Sequence, residues 1–69
     1  MTRTSVTSSN LASVGYDAGT QTLEVEFQNG SVYQYFDVPQ AVYDLLVGAE
    51  SAGRLFNSEI RGNYRYARM

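Results

Sequence analysis

The residues best suited to chemistry sit at the end of the chain. Arg54 and Arg61 are followed by Tyr64, Arg65, Tyr66 and Arg68. All five cations are arginine. From residue 54 onward four arginines face one acid, Glu59, a formal +3, whereas residues 1–53 set one arginine against six acids, a formal −5. Guanidinium groups beside tyrosine rings bind phosphates and stack on bases. Tyrosine and arginine are equally the residues enriched at protein interfaces. Tyr33 and Tyr35, two apart on a candidate strand, are the further aromatic candidates.

Other chemistries lack their reagents. There is no cysteine, no histidine and no lysine, so thiol nucleophiles, Cys/His zinc sites, disulfides and Schiff bases have no basis. Glu24 and Glu26 share one strand face at a spacing superficially like an acid/base pair, but they read as a solvent-facing edge. Asp17 reads as a turn former, and Ser8-Ser9 has no histidine to activate it. The acidic residues show no calcium-loop spacing. The expectation is a protein that is not an enzyme and uses no cofactor or metal.

At 69 residues the chain is one small domain, of a size that buries only roughly 60% of its unfolded surface. No stretch approaches the ~20 apolar residues of a membrane span, and the start lacks a signal-peptide pattern. A cytoplasmic location without membrane partners is the default. A net charge of −2 argues against a surface coated in basic groups, so nucleic-acid binding would have to be local.

The elements that position these residues follow from periodicity. Residues 1–9, rich in Ser and Thr, read as a flexible or partly ordered segment, with a single domain over 10–69. Ala12, Val14 and Tyr16 alternate with Ser13 and Gly15 as a half-buried strand. Leu23, Val25 and Phe27 share one face of a second strand, with Glu24 and Glu26 on the other. Asn29-Gly30 marks a hairpin, returning as a third strand from Ser31 to Phe36. Pro39 suits the first position of a helix capped by Asp37 or Val38, with Val42, Leu45, Leu46 and Ala49 as its apolar stripe. Ser51 can cap a second helix striped by Ala52, Phe56 and Ile60. That helix would place Arg54 and Arg61 on one side, with Gly62 as its left-handed C-terminal cap. The expected fold is α+β: a three-stranded antiparallel meander packed against one or two helices. Residues 63–69 stay open between a short strand and an extended arm.

The hairpin permits two registers. A two-residue loop pairs Val25 with Gln34 and turns both tyrosines outward. A three-residue loop with Gly30 in the left-handed position pairs Val25 with Tyr33 and turns them inward. The second is favoured, because the first buries the Gln34 amide opposite Val25, where it would need partners.

Ser8-Ser-Asn10, Val14-Gly-Tyr16-Asp17, Leu23-x-Val25-x-Phe27, Gly30-x-x-Tyr33-x-Tyr35, Val38-Pro39, Ser51-x-Gly53-x-x-Phe56, Ile60-Arg61 and Tyr64-x-Tyr66, in that order, resemble the KTSC domain. That family is named for the C-terminal extension of some lysyl-tRNA synthetases and also occurs as free-standing small bacterial proteins. The resemblance implies a central Tyr-x-Tyr, here Tyr33 and Tyr35, and a family of unestablished function for which RNA binding has been proposed. Nothing about aminoacylation carries over.

Two functional readings are compatible with these residues. The leading one is a small interaction module, binding a protein partner or itself through the same Arg/Tyr patch or through an open sheet edge at the first or third strand. The alternative is weak binding of RNA or single-stranded nucleic acid. The candidate binding residues for both are Tyr33, Tyr35, Arg54, Arg61, Tyr64, Arg65, Tyr66 and Arg68.

Overall fold

A computed structural model of the chain describes residues 2–69; Met1, the first residue of the segment expected to be flexible, lies outside them. The main class is as expected, α+β, but the sheet has five antiparallel strands where the periodicity predicts three. They are β1 (Arg3–Ser5), β2 (Leu11–Asp17), β3 (Thr22–Phe27), β4 (Val32–Tyr35) and β5 (Tyr66–Arg68), in spatial order β1-β2-β3-β4-β5. Helix α1 spans Gln40–Gly48 and α2 spans Ala52–Leu55, running directly into a π-helical turn over Phe56–Ile60. Among the described residues no helix is long and apolar enough to cross a membrane.

The two strands that periodicity misses carry no buried side chain: every residue of β1 and of β5 is exposed. Both are held by backbone pairing, β1 through Thr4 opposite Val14 and β5 through Tyr66 opposite Tyr35. Residues 63–69 are therefore neither wholly strand nor arm, with β5 adding a short strand to the sheet edge. Arg3 adds a contact on the outer face, reaching past Gly15 to Glu24 at 3.5 Å and to Glu26 at 3.9 Å. Glu24 also accepts from Gln34 Nε2 at 3.1 Å, and Glu26 from Ser13 Oγ at 2.9 Å. The two glutamates are thus a polar lacing across the strands.

The hairpin takes the register with the tyrosines inward. Val25 pairs with Tyr33 and Leu23 with Tyr35, while the Phe27 and Gly30 N–H groups donate to Ser31 and Phe27 carbonyls at 2.8 and 2.9 Å. Gly30 has φ +89°, the left-handed value this loop needs. Leu23 and Val25 are fully buried and Tyr35 is only 5% exposed. Gln34, on the outer face, satisfies its amide on Glu24, which is the outcome the polar-burial argument anticipates. Val32 and Phe36 remain half-buried.

Three local expectations need correction. A bulge between Leu11 and Ser13 makes Ala12 the unpaired extra residue, so Leu11, not Ala12, joins Val14 and Tyr16 on the core face. Pro39 is the N-cap residue itself, extended at ψ 146°, and no side chain caps α1. Val38 is fully buried, its N–H donating to Gln21 and its carbonyl accepting from the Tyr16 hydroxyl. The helix is therefore turned so that Leu46 is buried and Val42 and Tyr43 pack on the core, Tyr43 stacking on Tyr16 at 5.2 Å. Leu45 is left 61% exposed.

The second helical segment agrees with its pattern. Ser51 Oγ accepts from the Arg54 N–H at 3.4 Å, Ala52, Phe56 and Ile60 are all buried, and Gly62 follows at φ +83°. Gly53 is buried against the chain before β2. A Cβ there would overlap Asn10 Oδ1 and lie 2.7 Å from Ser8 Oγ.

Candidate functional site

Helix α1 packs on β2 and Phe56 reaches across to β3 and β4, and the same sheet face carries a cavity beside them. Alternation along β4 and β5 fixes what it presents: Tyr33 and Tyr35 stand beside their cross-strand partners Arg68 and Tyr66. Phe27 enters from β3 and Phe56 from the start of the π turn. The five rings close a circuit. Phe27 meets Tyr33 edge-on at 5.6 Å, Tyr33 meets Tyr66 at 5.8 Å, and Tyr66 meets Tyr35 at 5.6 Å. Tyr35 then meets Phe56 at 5.4 Å and Phe56 meets Phe27 at 5.6 Å. Above them lies a cavity of about 520 Å³, within the range of small-ligand sites.

Polar groups ring this aromatic floor. Asn10, Asn29, Asn57 and Ser31 line the cavity, and Arg61 supplies a guanidinium. None of the described residues lining it is acidic. The π turn sets Arg61's place: its N–H donates to the Phe56 carbonyl at 2.9 Å, five residues back, and its own backbone is extended at ψ 123°. The Tyr35 hydroxyl is held above its ordinary pKa by burial, then by Tyr66 and Tyr33, with Arg61 pulling the other way. It therefore stays protonated at neutral pH, a neutral donor and acceptor.

Of the eight residues singled out from sequence, Tyr33, Tyr35, Arg61 and Tyr66 come together here. Arg68 shares this face by register and donates to Ser31 Oγ at 3.4 Å, at the edge of the cavity. Arg54 is exposed on α2, and Tyr64 is half-buried against the core. Arg65 lies on the opposite face, paired with Asp37 at 2.9 Å and placed over the Phe36 ring at 5.7 Å. The expected site is thus split by backbone alternation between Arg65 and Tyr66, at the start of β5.

Sequence reasoning does not reach Asn10, Phe27, Asn29, Ser31, Phe56 and Asn57 as site residues. Phe27 and Phe56 fit the apolar stripes and look like ordinary core. For Asn10 a signal exists in Ser8-x-Asn10 with Gly53. Ser8 Oγ accepts from the Asn10 and Leu11 N–H groups at 3.2 and 3.1 Å and donates to Asn10 Oδ1 at 2.7 Å.

A five-stranded antiparallel meander with helices on one face and a Tyr-x-Tyr strand inside defines the class of small α+β domain. Residues 7–64 match the KTSC domain family, and the chain belongs to it. An uncharacterized protein of Stutzerimonas stutzeri is 46% identical over 70 residues, spanning 100% of this chain and 99% of its own length. A lysine–tRNA ligase of Nostoc punctiforme is 44% identical over 54 residues, which is 78% of this chain but 10% of the ligase. The crystal structure of a KTSC domain protein from Yersinia pestis superposes with a TM-score of 0.92 at 35% identity, covering 99% of this chain and 96% of that one.

Proposed function

We propose that this chain is a non-catalytic binding module whose groove takes single-stranded nucleic acid, RNA first. One base stacks on the exposed Tyr66 ring beside Tyr33, and Arg61 meets a phosphate. The observation that carries this reading is the acid-free, five-ring floor with a guanidinium at its side. An exposed ring stacking on a base contributes roughly 1–3 kcal/mol. One or two neutralised phosphates give a salt slope of about −0.7 to −1.4 for single strands, so binding is weak and salt-sensitive. A lysine–tRNA ligase with a matching segment acts on an RNA, in keeping with such a ligand.

The protein-interaction reading loses ground for a specific reason. The edges it needs, at the first and third strands of the core meander, are covered by β1 and β5. The new edges are three residues long each, a length that blunts strand addition. Self-association or a protein partner through β5 remains the second reading, and sedimentation across a concentration range separates it, since a monomer throughout removes self-association.

Fluorescence anisotropy with labelled RNA and single-stranded DNA at low and raised salt tests the proposal. Tyr66→Ala and Arg61→Gln each weaken binding, the former by about fivefold or more. Arg65→Gln leaves it unchanged, because that guanidinium sits on the other face with Asp37. No binding at low salt, or equal losses for Arg61 and Arg65, overturns the reading.

A further inference from the structure

Asn10 is a groove residue whose hydrogen-bonding direction is fixed by its neighbours. Ser8 Oγ receives two backbone N–H groups, from Asn10 and Leu11, and these use both of its lone pairs. Its own hydrogen must go to Asn10, so the atom it meets at 2.7 Å is the amide oxygen and not the nitrogen. Gly53 makes room for the amide: its oxygen is packed where a Gly53 Cβ would stand. Among the described residues Asn10 Nδ2 donates to no protein acceptor. What the Asn10 Nδ2 has left to offer the groove is therefore a donor.

The geometry points to Asn10 as the residue that selects the base, through Nδ2 donating to the exocyclic group at pyrimidine C4 or purine C6. Uracil O4 or guanine O6 satisfies it. Cytosine N4 and adenine N6 present a second donor and leave both groups unpaired, which is strongly discriminating in a partly dry site. Ser8 and Gly53 are positioning residues that keep the amide in this sense. This inference rests on the nucleic-acid reading of the groove.

The test compares oligo(U) with oligo(C) by anisotropy at one salt concentration. The intact chain binds oligo(U) about tenfold more tightly. Asn10→Asp keeps the fold, because a carboxylate accepts the Ser8 hydroxyl in the same way, but it faces the ligand with an acceptor. The U-to-C ratio then inverts, whereas the added charge alone would weaken both ligands equally. Ser8→Ala adds no charge and frees the amide to turn, so the ratio falls toward one. Failure of the intact chain to bind either oligomer overturns the groove reading and this inference together. Binding of both without preference, or an unchanged ratio in Asn10→Asp and Ser8→Ala, overturns the role of Asn10 and leaves the groove reading standing.

Discussion

Replacing Gly53 by alanine sets two opposing terms against each other. In a helix the change ordinarily gains at most about 1 kcal/mol. Here the new methyl overlaps Asn10 Oδ1 and comes within 2.7 Å of Ser8 Oγ. Neither atom is the loose end of a long side chain. Ser8 Oγ holds three hydrogen bonds between 2.7 and 3.2 Å, two of them capping backbone N–H groups, each of which contributes about 1 kcal/mol. Moving them aside forfeits part of that sum and adds an overpacking cost of about 1–3 kcal/mol. The balance is a loss of about 1–3 kcal/mol, which for a domain this small lowers Tm by roughly 5–20 °C. Gly48→Ala is the control. It lies in α1 with nothing within 4 Å of the added carbon, so it is neutral or raises stability by up to about 1 kcal/mol. Thermal and urea melts of the two variants decide the matter. Gly53→Ala matching the parent, or falling no further than Gly48→Ala, would refute the claim that Gly53, Ser8 and Asn10 form a closed contact.

The orientation of α1 is tested by a neighbouring pair. Leu46→Ala, at a fully buried site, costs about 2–5 kcal/mol, whereas Leu45→Glu, largely exposed, stays within about 0.5 kcal/mol; urea midpoints that reversed this order would mean the helix is turned the other way. Alkaline pH probes Tyr16, whose pKa is raised by burial and then by the charges of Asp44 and Asp17. With a folded value above the unfolded one near 10, its contribution to stability is complete below pH about 10 and is lost as pH climbs through the folded value. Tyr16→Phe therefore gives up the hydrogen bond to the Val38 carbonyl, about 1 kcal/mol at neutral pH, and shows a shallower alkaline decline. A decline as steep as the parent's would place its cause elsewhere.

Much of the fold is legible wherever burial leaves a period. Leu23 and Val25 announce β3, Gly30 fixes the register that buries Tyr35, and Ala52, Phe56 and Ile60 mark the second helical face. The signal fails where side chains bury nothing. β1 and β5 are held by backbone hydrogen bonds and by charges such as Arg3, which no hydrophobic pattern records. The stripe of α1 misleads because Leu45 and Leu46 are adjacent, and only packing against Tyr16 and Val38 decides which one turns inward. For the groove, the arginine and tyrosine residue types are visible but not their faces. Arg65 and Tyr66 are neighbours in the chain and lie on opposite sides of the sheet, a separation that appears only once β5 is known to be a strand. Asn10 is hidden for another reason: its role depends on Ser8 and on Gly53, which is 43 positions further on.

The π turn over Phe56–Ile60 makes the groove sensitive to length at one point. It holds one residue more than a regular helical turn, and that surplus shifts where Arg61 emerges, toward the tyrosines, after the buried Phe56 and Ile60. Removing a single residue between Asn57 and Glu59 would allow an ordinary α-helix to close, rotating the downstream chain by about 100°. The guanidinium would swing away from the cavity although the rest of the sheet kept its pairing. A single-residue deletion in this segment is thus enough to change which side chains line the cavity while the scaffold stays the same.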